Sequence, residues 1–179
     1  GDYGCIQDGD WDNSATWGVW NGSIYVTDGT YPGESTGSYD VYIVGGNIVN
    51  LDTNIPGTFD SLIIGDSDGV EETLSIGGTS ELDISLLHIS SDGLINWTAN
   101  VTFSIPSPTA TIVIDSDGNI TADSPCNAAQ RIEIGNSIIS ACNGEAGAIY
   151  SFSELVAAGG YDGTDSDSDG IIDAMDLDD

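Results

Sequence analysis

The chain has 179 residues and sets 30 Asp and Glu against one basic residue, Arg131, with a formal charge of -29. That balance excludes nucleic acid and anionic membrane surfaces as partners, and the self-repulsion of the compact state calls for salt or divalent cations. Hydrophobic residues make up 39% of the chain, enough for the core of one main domain, and no apolar run approaches the ~18 residues of a membrane span.

Residues 1–40 hold Trp11, Trp17 and Trp20 together with Tyr25, Tyr31 and Tyr39, and few regular apolar runs. They are expected to form an aromatic N-terminal cap. The chain starts at Gly1 without a basic-then-apolar leader, so a signal peptide is expected to have been removed and the protein to be secreted or displayed at the cell surface.

From residue 41 to 160 helix signals are sparse, and short apolar runs alternate with glycine-rich turns. Val41, Leu62, Leu87, Ile112 and Ile132 begin comparable strands at intervals of about 20 to 25 residues, the period of a solenoid. A second series, Ile48, Leu74, Leu94, Ile120 and Ile138, keeps similar spacing, so each coil carries at least two strands joined by corners such as Gly45-Gly46, Gly77-Gly78, Asp92-Gly93 and Asp117-Gly118. Stacked coils need inward Ile, Leu and Val and corners tolerant of positive φ. The pattern predicts an all-β, right-handed parallel β-helix of about five coils, closed at its open first coil by the aromatic cap. The alternative is an antiparallel β-sandwich, for which Asp-Gly and Gly-Gly turns are equally good signals.

Chemistry in the body is thinly marked. Cys126 and Cys142 are expected to close a short loop around Arg131, leaving Cys5 as a free thiol or a link to another chain, with a pairing through Cys5 still open. Arg131 is the sole candidate base for a polysaccharide lyase, and pairing with Glu133 explains it at least as well. Asp66 with Asp68, and Asp115 with Asp117, are formal acid and base pairs for a glycosidase; each precedes a glycine and reads more naturally as a turn. His88 has no evident partner. Asn21, Asn96, Asn100 and Asn119 head Asn-x-Ser/Thr triplets. Exposed aromatics such as Trp11, Trp17, Trp20 and Trp97 are candidates for stacking on extracellular glycans, against the simpler role of core or cap packing.

Residues 161–179 form an acidic tail with seven carboxylates in its last fifteen residues. Counting Asp165 as position 1, acids fall at Asp167, Asp169, Asp173 and Asp176, and Gly170 sits where the loop must turn sharply. This is a calcium-loop spacing. Asp165, Asp167, Asp169, the Ile171 carbonyl and Asp176 are the expected ligands, with Asp173 acting directly or through water. Asp176 stands where such loops carry Glu, so closure must be tighter or monodentate. Asp178 and Asp179 restart the rhythm, as a second half-site would.

The run Asp-Ser-Asp-Ser-Asp-Gly-Ile-Ile-Asp-Ala-Met-Asp resembles a thrombospondin type 3 calcium repeat. The string Gly9-Asp-Trp-Asp-Asn-Ser-Ala-Thr-Trp, the glycine-cornered strands, Ser124-Pro-Cys-Asn, Arg131-Ile-Glu-Ile-Gly, Ala141-Cys-Asn-Gly, Ser151-Phe-Ser-Glu-Leu and Ala158-Gly-Gly resemble secreted β-helical surface proteins of gliding and marine Bacteroidetes. Asp60-Ser61-Leu62 fits a short O-glycosylation pattern of exported proteins of that group. The resemblance implies export through the type 9 secretion route and a place in a larger multidomain surface protein. Together these readings lead to the expectation of a non-catalytic structural or adhesive module whose partners are adjacent modules, identical subunits or extracellular glycans. A self-assembling filament subunit, docking its tail or the Cys5 segment on a neighbour's open coil, and a calcium-dependent polysaccharide-active enzyme are the alternatives.

Overall fold

The computed structural model describes residues 1–123 and 125–164. Strands β1 (Tyr3–Cys5) and β2 (Gly9–Asp10) begin two faces of a solenoid, and after a 3₁₀ turn, β3 (Trp17–Trp20) and β4 (Tyr25–Val26) fold back antiparallel beside β1. Four complete coils follow. They comprise β5 (Asp40–Ile43), β6 (Ile48–Leu51) and β7 (Asn54–Thr58); β8 (Ser61–Ile64), β9 (Glu72–Ile76) and β10 (Ser80–Asp83); β11 (Leu86–Ile89), β12 (Gly93–Trp97) and β13 (Thr102–Ile105); and β14 (Thr111–Ile114), β15 (Asn119–Ala122) and β16 (Arg131–Ile134). The chain closes with β17 (Ser137–Ser140), β18 (Tyr150–Ser151), the helix α1 (Phe152–Ala158) and β19 (Gly160–Tyr161).

The coils stack because alternate residues of each strand point inward and meet their own kind one coil on. On the first face the register aligns Val41, Leu62, Leu87 and Ile112, and beside them Ile43, Ile64, Ile89 and Ile114. On the second it aligns Val49, Leu74, Ile95 and Ile120, then Leu51, Ile76, Trp97 and Ala122. All but Ala122 are buried, and each large aliphatic side chain contributes about 1.5–3 kcal/mol on leaving water. Corners bring backbones close: a Cβ at Gly93 would collide with the Ile64 carbonyl oxygen of the previous coil.

The parallel ladders settle the choice against a sandwich. They also revise the count of five coils to four. The fifth members of the two spaced series, Ile132 and Ile138, lie on β16, the third face of the fourth coil, and on β17, which turns back antiparallel against it. Each coil has three strands, and the third resembles the others enough for the period to slide onto it.

Both ends are covered. At the N-terminal end the Trp11 indole N–H donates to the Pro32 carbonyl at 2.9 Å and that of Trp17 to the Trp11 carbonyl at 2.7 Å. Their rings meet edge-on at 5.0 Å, and Trp11, Phe59 and Tyr39 stack in sequence. Residues 1–40 are more than a cap, since β1 and β2 pair in parallel with β5 and β6 as an incomplete first turn. At the other end α1 lays Phe152 against Trp97, ring centroids 4.7 Å apart, and buries Leu155. This helix starts at a capping box, Ser151 with Glu154, and stops at Gly159 in the left-handed region. The Ser-x-x-Glu signature stood in the sequence; the surrounding strand pattern masked it.

Candidate functional site

The corner between β8 and β9 gathers the acids that matter most. Gly65 and Gly69 take positive φ, as does Ser67 at 62°, and the chain between them doubles back on itself. Asp66 accepts the Asp68 N–H at 3.1 Å, and Asp68 accepts the Val70 N–H at 2.8 Å. From the following coil Asp92 reaches up to take the N–H groups of Ser67 and Gly69, both at 3.0 Å. Burial works to raise the Asp92 carboxyl, but the N–H groups of Gly69 and Ser67 outweigh it and hold its pKa below the ordinary value.

Glu72 opens β9 opposite Gly93 and is fully buried. Its Oε1 accepts the Gly46 N–H from the preceding coil at 2.8 Å, while Oε2 is buried with no hydrogen-bond partner. Burial raises its pKa; the Gly46 N–H opposes this, and the charges of Asp66, Asp92 and Asp68 add to it. Asp66, Asp68 and Glu72 each present a carboxylate oxygen within 4.8 Å of the others.

A second copy of the string Asp-Ser-Asp-Gly turns the corner between β14 and β15. There Asp115 pairs with His88 at 3.1 Å, the partner that the sequence did not reveal, and the Gly118 N–H closes a tight turn on the Asp115 carbonyl at 3.0 Å. Asp66, Asp68 and Asp115 are therefore turn residues bonded to backbone or to a neighbouring coil, and Asp117 is the exposed turn residue at positive φ. Arg131 Nη2 pairs with Glu133 Oε1 at 2.6 Å, as the sequence led one to expect.

Cys126 and Cys142 form the disulfide, with Cα atoms 5.6 Å apart, and tie together the two ends of the β16–β17 hairpin. A loop of this length is worth about 3 kcal/mol in chain entropy. Cys5 is a free thiol, buried in β1, where its Sγ accepts the Val44 N–H at 3.2 Å. Burial pushes its pKa up to about 11. Neither an intrachain pairing through Cys5 nor a Cys5 link to another chain fits this placement.

The four tryptophans part company. Trp11, Trp17 and Trp97 are buried, their indole N–H groups spent on carbonyl oxygens, that of Trp97 on Val101 at 3.0 Å. They are packing residues, which removes them from the glycan-stacking set. Trp20 is 43% exposed, edge-on to Tyr25 at 5.1 Å, on a hairpin that also exposes Ile24 and Val26. Asn21, Asn100 and Asn119 are exposed, whereas Asn96 is half-buried and accepts from the Thr121 hydroxyl at 2.9 Å.

The expected calcium ligands Asp165, Asp167, Asp169, Ile171, Asp173 and Asp176 lie outside the described residues. Sequence reasoning missed Glu72 and Asp92 as members of the first corner. The available signal was the acid pair Glu71-Glu72 one residue after the Asp-Ser-Asp-Gly turn, and the one-coil spacing that stacks Asp92 under Ser67. No protein-family model, curated protein or solved structure matches the chain.

Proposed function

We propose that this chain is a non-catalytic, secreted or cell-surface structural module, a rigid solenoid whose C-terminal acidic segment is clamped by calcium into a joint with an adjacent module or an identical subunit. The observation that carries this reading is the unbroken stack of inward ladders, covered at both ends among the described residues. The disulfide fits an oxidising, extracellular setting. Among the described residues no helix is long and apolar enough to cross a membrane.

The charge of -29 gives calcium a second task beyond the joint, because divalent cations relieve repulsion that the single basic residue cannot. Adhesion to glycans, where it occurs, falls to Trp20 and Tyr25 on the exposed hairpin. The filament alternative is weakened by the covered ends and by β1, which is paired on both sides by β3 and β5. The enzyme alternative is tested by release of reducing or unsaturated sugars from a panel of acidic polysaccharides; turnover by purified protein would overturn the non-catalytic reading. The joint itself is tested by light scattering and limited proteolysis with calcium or magnesium. Protection of the tail by calcium alone is expected, and equal cleavage in both ions would sink the clamp.

A further inference from the structure

We infer that the corner at residues 65–72 is a calcium site in its own right, held by Asp66, Asp68 and Glu72 and independent of the C-terminal loop. The three carboxylates offer oxygens within 4.8 Å of one another. Oxygens bound at about 2.3–2.6 Å to one calcium ion can be no more than about 4.6–5.2 Å apart, whereas magnesium at about 2.0–2.1 Å draws them within about 4.2 Å. The three oxygens therefore lie within the span that a calcium shell allows.

The second, independent observation is Glu72. Its side chain is fully buried, and Oε2 has no hydrogen-bond partner while Oε1 is held by the Gly46 N–H. A buried, half-satisfied carboxylate beside further acids is costly unless something neutralises it. Protonation of Glu72 would neutralise that group alone and leave the charges of Asp66 and Asp68 facing each other. No basic side chain is free to serve: Arg131 is paired with Glu133 on the third face, and the one histidine, His88, is paired with Asp115. A cation uses the lone pairs of Oε2 and neutralises Asp66 and Asp68 in the same step. Around it Asp92, held by the Ser67 and Gly69 N–H groups, braces the loop from the next coil. Asp66 and Asp68 are exposed, so the ion has a path in from solvent and room for waters to complete its shell.

The site is separated from the tail by working in a full-length Asp167→Asn, Asp169→Asn background and titrating Ca²⁺ by calorimetry, with Mg²⁺ at equal ionic strength as control. One calcium equivalent is expected to remain. Adding Glu72→Gln, or Asp66→Asn with Asp68→Asn, is expected to lower its affinity on the order of tenfold or more. Glu72→Gln is also expected to raise the melting temperature of the calcium-free protein while shrinking the calcium-induced rise, a sign change that simple loss of packing does not produce. If Glu72→Gln does not fold, the exposed Asp66 and Asp68 pair decides. No residual calcium binding in the tail variant, or residual binding unaltered by the corner substitutions, overturns the site. A parent chain that binds no more calcium than the tail variant would instead refute the tail clamp and leave the corner standing.

Discussion

Asp66-Ser67-Asp68-Gly69 and Asp115-Ser116-Asp117-Gly118 turn corners on the same edge of the solenoid, two coils apart, yet they fold differently. The non-glycine residue at positive φ is Ser67 in the first and Asp117 in the second. The first corner runs on through Val70 and Glu71 before β9 begins, has Gly46 donating from the coil before, and rests on Asp92 from the coil after. The second enters β15 at once, and its Asp115 pairs with His88. Identical local chemistry thus becomes a carboxylate cluster backed by one buried acid in one place and an ordinary turn in the other. The neighbouring coils decide which, a tertiary effect that no four-residue motif contains.

The largest expected contrast lies beneath the corners. Leu74→Ala removes a side chain from an interior rung and is expected to cost about 3–5 kcal/mol, near the top of the range for such truncations. Ile120 sits on the last coil beside an open cavity of about 660 Å³ under α1. Ile120→Ala is expected to cost nearer ~2 kcal/mol, because a less enclosed site relaxes more readily. Equal costs in denaturant titrations would erase the distinction between interior and terminal coils.

Next in size is Asp92→Ala, which strands the Ser67 and Gly69 N–H groups and is expected to cost about 1–2 kcal/mol, solvent making good part of the loss. Because the folded pKa of Asp92 is depressed, its contribution is present above the ordinary carboxylate pKa and is lost as pH falls through the folded value. The variant should therefore differ from the parent at neutral pH and converge with it in acid. A gap that persists in acid would assign the loss to packing.

Ser67→Gly and Asp117→Gly each relieve a left-handed side chain and are expected to stabilise by about 0.5–1 kcal/mol. Ser116→Gly, at the position equivalent to Ser67, is expected not to stabilise, and a gain there would mean that the two corners share one backbone after all. Smallest is Asp115→Asn: its pair with His88 is half exposed, and the change is expected to stay below about 0.5 kcal/mol in thermal melts.

The solenoid was legible because its cause is periodic. Val41, Leu62, Leu87 and Ile112 recur once per coil, and that recurrence is the ladder. The third face was harder to see at its first strand: β7 contains Pro56 and Gly57 and spends four steps, Asn54 to Thr58, against the two from Glu81 to Asp83 on β10, so it does not match the apolar strings of the other faces. The disulfide and the Arg131–Glu133 pair followed from proximity along the chain. Glu72 did not, because its burial depends on Gly46 and Asp92, each a coil away, and the fate of Trp11, Trp17 and Trp97 was hidden for the same reason. Exposure is a property of the stack.

The central claim, a rod that calcium stabilises, is tested most directly by melting the full chain at rising calcium concentration against magnesium at equal ionic strength. A melting temperature that climbs with calcium by several degrees and stays level with magnesium is expected, since an ion that binds only the folded state adds its binding free energy to stability. Superimposable melting curves in the two ions would contradict it.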